Sequence, residues 1–303
     1  MQAPYSNQVD LLLSVLGEVV KSPDIALKGG TALNLFLLDM PRLSVDIDLC
    51  FLPILPRQES LERISTVMME IANTLSSNFS LQTNLKKTHD QIPKQLIVSE
   101  KGVTIKIEIN LILRGSVFGI EKKDLCLSAQ KRYGKFLSVN CLSFEDLYAG
   151  KFCAALDRQH PRDLFDIYLF FKNFSFSEKL KQAFIAYLIS TNRPVHEVIC
   201  PNLLNQEEIY HKEFLGMTHE LISYKELETA RLYLIRTILQ SLSKEDKRFL
   251  VSIEEGSPDW NLYEASHVKN FPGIQWKIFN VQKMDADKRL QSVVQLKSKL
   301  EMD

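Results

Sequence analysis

The sequence predicts an α/β protein, with a mixed sheet in its N-terminal part and a helical C-terminal part. Strand-like and helix-like patterns interleave up to about residue 139, which is the signature of a mixed layered core. From residue 140 onward the patterns favour helix almost throughout. Within the first part, residues 28–49 read KGGTALNLFLLDMPRLSVDIDL: a glycine turn, a short helix and a strand carrying two aspartates.

The elements follow in order. Residues 9–20 form an amphipathic helix with Leu12, Leu13 and Leu16 on one face. Residues 25–27 are a short strand that runs into Gly29-Gly30. Thr31 is placed to cap the next helix, which Pro41 ends. Residues 44–52 are the aspartate strand, and residues 59–75 a second amphipathic helix. Strand-like runs follow at 80–85, 95–99 and 103–112. Helices are then expected at 143–156, 164–171, 176–189, 224–242 and 286–300. Ser143 with Asp146 three residues on resembles a capping box. The expected domains are 1–139 and 140–303.

Composition narrows the class. A chain of 303 residues with 45% apolar and 24% charged residues is globular. No run of ~18 apolar residues suggests a membrane span. The N-terminal segment lacks a basic region, is broken by Asp10 and Glu18, and does not read as a signal peptide. Five scattered cysteines without a C-x-x-C pair argue for reduced thiols and a cytoplasmic location. Net charge is zero, but residues 84–135 hold eleven Lys/Arg against five Asp/Glu. That local excess suits a polyanion, and equally a set of solvated loop charges.

Side chains alternate along a strand, so Ser44, Asp46 and Asp48 share one face. Two adjacent carboxylates repel unless a divalent cation joins them, and hard oxygen ligands favour Mg²⁺. A glycine turn opening a helix beside them offers backbone N–H groups to phosphate. Lys28 adds a positive charge there, although G-x-x-x-x-G-K-[ST] is absent and a P-loop is excluded. Glu108 shares a polar strand face with Lys106 and Asn110, and reads either as a third metal ligand or base, or as an ordinary half-exposed strand residue. Lys151 stands in an apolar helical run, where a lysine either snorkels to the surface or pairs with a buried anion. Pro161 marks a helix start. Asp163 is expected as a first-turn residue, and His160 in a surface or turn position. The six histidines, His219 among them, show no metal spacing.

Gly-Gly-[Ser/Thr] followed by Asp-x-Asp resembles the minimal nucleotidyltransferase signature. GGTALNLF with RLSVDIDL, IKIEIN at 105–110 and YAGKFCAALDRQHPRDLFDIY at 148–168 together resemble the AbiEii/AbiGii nucleotidyltransferase toxins of type IV toxin–antitoxin systems. The resemblance implies a nucleotidyltransferase core and a helical domain that contributes to the active site. It implies a metal set of Asp46, Asp48 and Glu108, with Mg²⁺ as cofactor. The nucleotide-binding set becomes Lys28, Gly29, Gly30, Thr31, Ser44 and Lys151. Asp166 matches the last Asp of the family's Arg-Asp-x-x-Asp block, where it orients Lys151 or serves as base. NTP is the implied substrate, RNA (the tRNA 3′ end) the implied acceptor, and an antitoxin the implied partner. The residues alone leave open a protein or small-molecule acceptor, and a binding module that transfers nothing.

Overall fold

The structure is a computed structural model that describes residues 3–218 and 220–302. Met1, Gln2, His219 and Asp303 lie outside the described residues. Two compact units are present: Met1–Leu147 with Gly216–Leu221, and Tyr148–Leu215 with Ile222–Asp303.

The first unit is built on a seven-stranded mixed sheet. Its strands are β1 (Ile25–Lys28), β2 (Asp46–Phe51), β3 (Gln82–Lys87), β4 (Pro93–Glu100), β5 (Val103–Ile109), β6 (Ile120–Asp124) and β7 (Ser138–Leu142). They lie in the order β3-β4-β5-β2-β1-β7-β6. The β1–β7 and β2–β5 pairs are parallel and the rest antiparallel. Helices α1 (Ala3–Val19) and α3 (Arg57–Asn78) cover one face, α1 on β5 and α3 on β3 and β4. Their apolar stripes, including Leu12, Leu16, Ile64, Met68 and Leu75, are buried along with Leu96, Val98, Ile105 and Ile107 of the sheet. The opposite face of β4 and β5 carries Gln95, Ile97 and Glu108, which are half-buried, and the exposed Lys106. Helix α2 (Gly29–Ala32) continues as a π-helical turn over Leu33–Leu37, and α4 (Leu127–Tyr133) follows β6.

Helix α5 (Phe144–Arg158) carries the division between the units. Its start is fixed by Asp146, whose carboxylate accepts from Ser143 Oγ at 2.7 Å, Val117 N at 2.8 Å and Phe118 N at 2.9 Å. The second unit adds α6 (Pro161–Asn173), α7 (Glu178–Leu188), α8 (Val195–Ile199), α9 (Glu207–Ile209), α10 (Tyr224–Ser241), α11 (Lys244–Glu254), α12 (Pro272–Lys283) and α13 (Ala286–Lys299). Aromatic rings fill its core: Phe170 lies 4.8 Å from Tyr148 and meets Phe152 edge-on at 5.0 Å, both offset geometries that rings favour. Among the described residues no helix is long and apolar enough to cross a membrane.

Several expectations need correction. Thr31 caps nothing; it lies inside α2, and the N-cap position falls on Lys28 without a side-chain cap. Strands β6 and β7 and helices α4, α8, α9, α11 and α12 are additional. β6 reads IEKKD and is almost wholly exposed at a sheet edge, so it lacks the alternation that reveals a strand. Helix α11 did carry a signal, the capping box formed by Ser243 and Asp246.

The last helices of the second unit meet at one buried carboxylate. Glu254 on α11 lies 3.0 Å from Lys277 Nζ on α12 and accepts from Val195 N on α8 at 2.8 Å and from Ser292 Oγ on α13 at 2.9 Å. Removing it strands a buried ammonium. Glu254→Ala is therefore expected to cost about 3–5 kcal/mol, and Glu254→Gln less, read from denaturation midpoints at constant m-value.

Candidate active site

The carboxylate strand and the glycine turn are joined by register. β1 and β2 run antiparallel with Lys28 opposite Asp48, so the chain leaving Lys28 turns directly over Asp48. Gly29 has φ +71°, and a Cβ built on it would stand 2.2 Å from Asp48 Oδ2. A Cβ on Gly30 would stand 2.8 Å from Ser44 Oγ and 2.9 Å from a terminal nitrogen of Arg42. Both glycines are required because these side chains occupy the space a Cβ would fill. The buried Thr31 hydroxyl donates to the Asp46 carbonyl at 2.5 Å and lies 3.1 Å from Ser44 Oγ. Thr31 thus pins the start of β2 with its hydroxyl.

Register extends the row across the sheet. Asp48 pairs with Glu108, Glu108 with Gln95, and Gln95 with Lys86, while Asp46 pairs with Lys106. In-register residues share a face. Glu108 accepts a hydrogen bond from the Gln95 amide. A cleft of about 290 Å³ opens on this side of Asp48, lined by Lys28, Asp48, Lys94, Gln95, Glu108, Ile109 and Asn110. The Asn110 side-chain oxygen is committed to Ile112 N and Leu113 N, at 2.9 and 2.8 Å. Among the described residues no three His, Cys, Asp or Glu side chains are grouped closely enough to cage a metal. Of the expected set, Asp48 and Glu108 are register partners that line the same cleft, and Asp46 lies two residues along β2. Glu108 is also tied to Gln95 on the next strand out.

Arg42 is a site residue the sequence reading missed. It is 3% exposed, donates to the Leu43 carbonyl at 2.9 Å and faces the Gly30 turn. The available signal was parity: Arg42, Ser44, Asp46 and Asp48 alternate. A distant segment also shapes this strand entry, since Leu43 N donates to Met217 O at 3.0 Å and Arg42 bridges Thr218.

The remaining predicted residues belong to the second unit. Lys151 is 6% exposed and its ammonium lies 2.8 Å from Asp163 and 2.9 Å from Asp166. Arg158 grips Asp163 with two nitrogens at 2.6 and 3.0 Å. Asp163 is thus a central partner and not only a helix-start residue, and Asp166 holds Lys151 in place. Burial alone would raise the Asp163 carboxyl, but Lys151 and Arg158 outweigh it and hold it well below the usual carboxylate range. His160 caps α6: its Nδ1 accepts from Arg162 N at 3.1 Å, and Nε2 lies 3.2 Å from Glu213. That pattern requires the neutral Nε2–H tautomer, and burial accordingly lowers the His160 pKa.

The basic residues of 84–135 are not brought together. Lys86 and Lys87 lie on β3 and Lys122 and Lys123 on β6, the two opposite edges of the sheet. Lys94 alone of that set lines the cleft beside Asp48, together with Lys28.

A carboxylate strand under a glycine turn, on a mixed sheet, defines the nucleotidyltransferase class of site. A family described as "Nucleotidyl transferase AbiEii toxin, Type IV TA system" matches residues 10–278, and the chain belongs to that family. Among solved structures it is similar in fold to MenT4, the nucleotidyltransferase toxin Rv2826c from Mycobacterium tuberculosis H37Rv. That match has a TM-score of 0.62 at 15% identity and covers 92% of this chain and 95% of the other. No curated protein matches the sequence.

Two outcomes follow from this geometry. Gly29→Ala is expected to lose about 1–2 kcal/mol from the left-handed backbone and to displace Asp48, seen as a lower Tm together with lost transfer activity. Lys151→Ala is expected to cost about 3–5 kcal/mol, because it leaves two buried aspartates short of a cation. The pH dependence has a definite sign. Asp163 titrates lower folded than unfolded, so its contribution is complete above its ordinary value of 3.8 and is lost as pH falls through the folded value. The acid limb of the stability curve should flatten in Lys151→Ala.

Proposed function

We propose that the protein is an Mg²⁺-dependent nucleotidyltransferase toxin that transfers a nucleotide from NTP to RNA, at the 3′ end of tRNA. The observation that carries the reading is the close approach of the Gly29–Gly30 turn to Asp48. It leaves backbone donors and carboxylates side by side, with no side chain between them. The donor set fits Mg²⁺, which is usually held by one or two carboxylates plus substrate phosphates and needs no protein cage. Asp46 and Asp48 would hold it. When bound, it supplies charge neutralisation of the triphosphate and a more acidic acceptor hydroxyl.

The chain's own groups do the rest. The N–H groups of Gly29, Gly30 and Thr31 bind phosphate oxygens, with Lys28, Ser44 and Arg42 around them. Glu108, oriented by Gln95, takes the proton of the attacking hydroxyl as its oxygen bonds the α-phosphorus and the bond to the β-phosphate breaks, releasing pyrophosphate. Asp166 is the weaker candidate for that step because it is ion-paired to Lys151. Lys151, with its charge fixed in place, serves the triphosphate as the family resemblance implies. We assign a core to 1–139 and a helical domain contributing to catalysis to 140–303, whereas the compact units divide after Leu147 and Gly216–Leu221 belong to the first.

The cleft favours a nucleic-acid acceptor over a protein hydroxyl. Lys94 flanks it beside Lys28, and a terminal nucleotide brings a phosphate for Lys94, which a serine or tyrosine does not. The family assignment also implies a cognate antitoxin. Five free, scattered cysteines support a cytoplasmic location.

The test is incubation with labelled NTP, Mg²⁺ and total RNA or total protein. Label is expected in RNA and should fall steeply with salt. Asp46→Asn and Asp48→Asn should each lower transfer by about a hundred- to a thousandfold, a loss of several kcal/mol in the transition state, while folding normally. Label in protein only would discard the RNA acceptor, and full activity in both variants would discard the metal assignment.

A further inference from the structure

We propose that Arg114 and Arg57 form a second anion site, which takes a phosphate group. Arg114 lies in the 110–115 loop after β5. It is 5% exposed, and its Nε and Nη1 are enclosed without any hydrogen-bond partner. Among the described residues no carboxylate lies within ion-pair distance of it. The loop itself is pinned at both ends. Asn110 takes the N–H groups of Ile112 and Leu113, and Gly115 N donates to Phe51 O at 2.8 Å. The guanidinium is thus held in place by its backbone, with nothing to neutralise it.

A guanidinium keeps its charge in a protein, so burial without a partner is costly and an anion would relieve it. A neighbouring charge adds to the cost. Burial first, and then the positive charge of Arg57, disfavour protonated Arg114. Arg57 is exposed and opens the 22-residue helix α3, whose N-cap position is Pro56 and offers no side-chain cap. A planar fork and a second guanidinium suit a tetrahedral anion with three or four oxygens. A carboxylate has only two, and the Arg114 fork alone would use both.

The site is distinct from the nucleotide turn. Gly115 docks on Phe51, the end of β2 opposite Asp46, roughly 10 Å along the strand from Asp48 at about 3.3 Å per residue. The phosphate can come from the backbone of a bound RNA or from free phosphate. The inference does not depend on the acceptor being RNA.

Thermal unfolding of the full chain tests it, with inorganic phosphate compared against sodium chloride at equal ionic strength. The wild-type Tm should rise with phosphate. Arg114→Met should abolish that response. It should also leave the phosphate-free Tm equal or higher, because it removes a buried unpaired charge. Arg57→Gln, at an exposed position, should fold normally and raise the half-saturating phosphate concentration at least fivefold. A short single-stranded RNA in place of phosphate separates the sources. An Arg114-dependent shift with RNA assigns a backbone phosphate, and a shift with inorganic phosphate alone assigns the free anion. The proposal falls if neither ligand gives an Arg114-dependent shift, if Arg57→Gln responds like wild type, or if Arg114→Met lowers the phosphate-free Tm.

Discussion

The close approach of Gly29 to Asp48 is the constraint on which the candidate site depends. Lys28 and Asp48 are cross-strand partners, so the turn after β1 must pass over the carboxylate strand. A Cβ at residue 29 would collide with the Asp48 carboxylate, and one at residue 30 with Ser44 and Arg42. Absence of side chains therefore does positive chemical work. It lets backbone donors stand beside two acids in a space that any other residue would fill. The hydrogen bond from Thr31 to the Asp46 carbonyl then fixes the far side of the same contact.

The two groups of acidic residues are managed in opposite ways. In the first unit Asp46 and Asp48 remain half-exposed on an open sheet face, with Lys28, Lys94 and Lys106 nearby. In the second unit Asp163 and Asp166 are fully buried and already neutralised by Lys151 and Arg158. That cluster balances its charges internally, which makes it rigid and expensive to disturb. Arg114 fits neither pattern, being buried like the second group and lacking the partner that would balance it.

Much of the fold was legible where apolar periodicity was strong. Helices α1, α3, α5, α6, α7, α10 and α13 and strands β1 to β5 all fall on predicted segments, with ends shifted by a few residues. What escaped had weak patterns for physical reasons. Strand β6 is exposed and charged, and α4 spans only Leu127–Tyr133. The aspartate pair and the glycine turn were visible because strand alternation and glycine geometry are local rules. Thr31 was misplaced because its hydroxyl answers to a strand fifteen residues on, and not to its own helix.

The sequence by itself determined the class: an α/β core, a helical second half, and a Gly-Gly turn with Asp-x-Asp as the candidate site. These follow from short-range periodicity, which a linear chain displays openly. Only the tertiary structure decided which side chains meet. Strand order sent Lys86 and Lys122 to opposite edges of the sheet. Register set Glu108 against Gln95 and Asp48. The return of residues 216–218 to Arg42 and Leu43 could not be read from either segment alone. Contacts across such separations depend on how the whole chain closes and carry no periodic signature of their own.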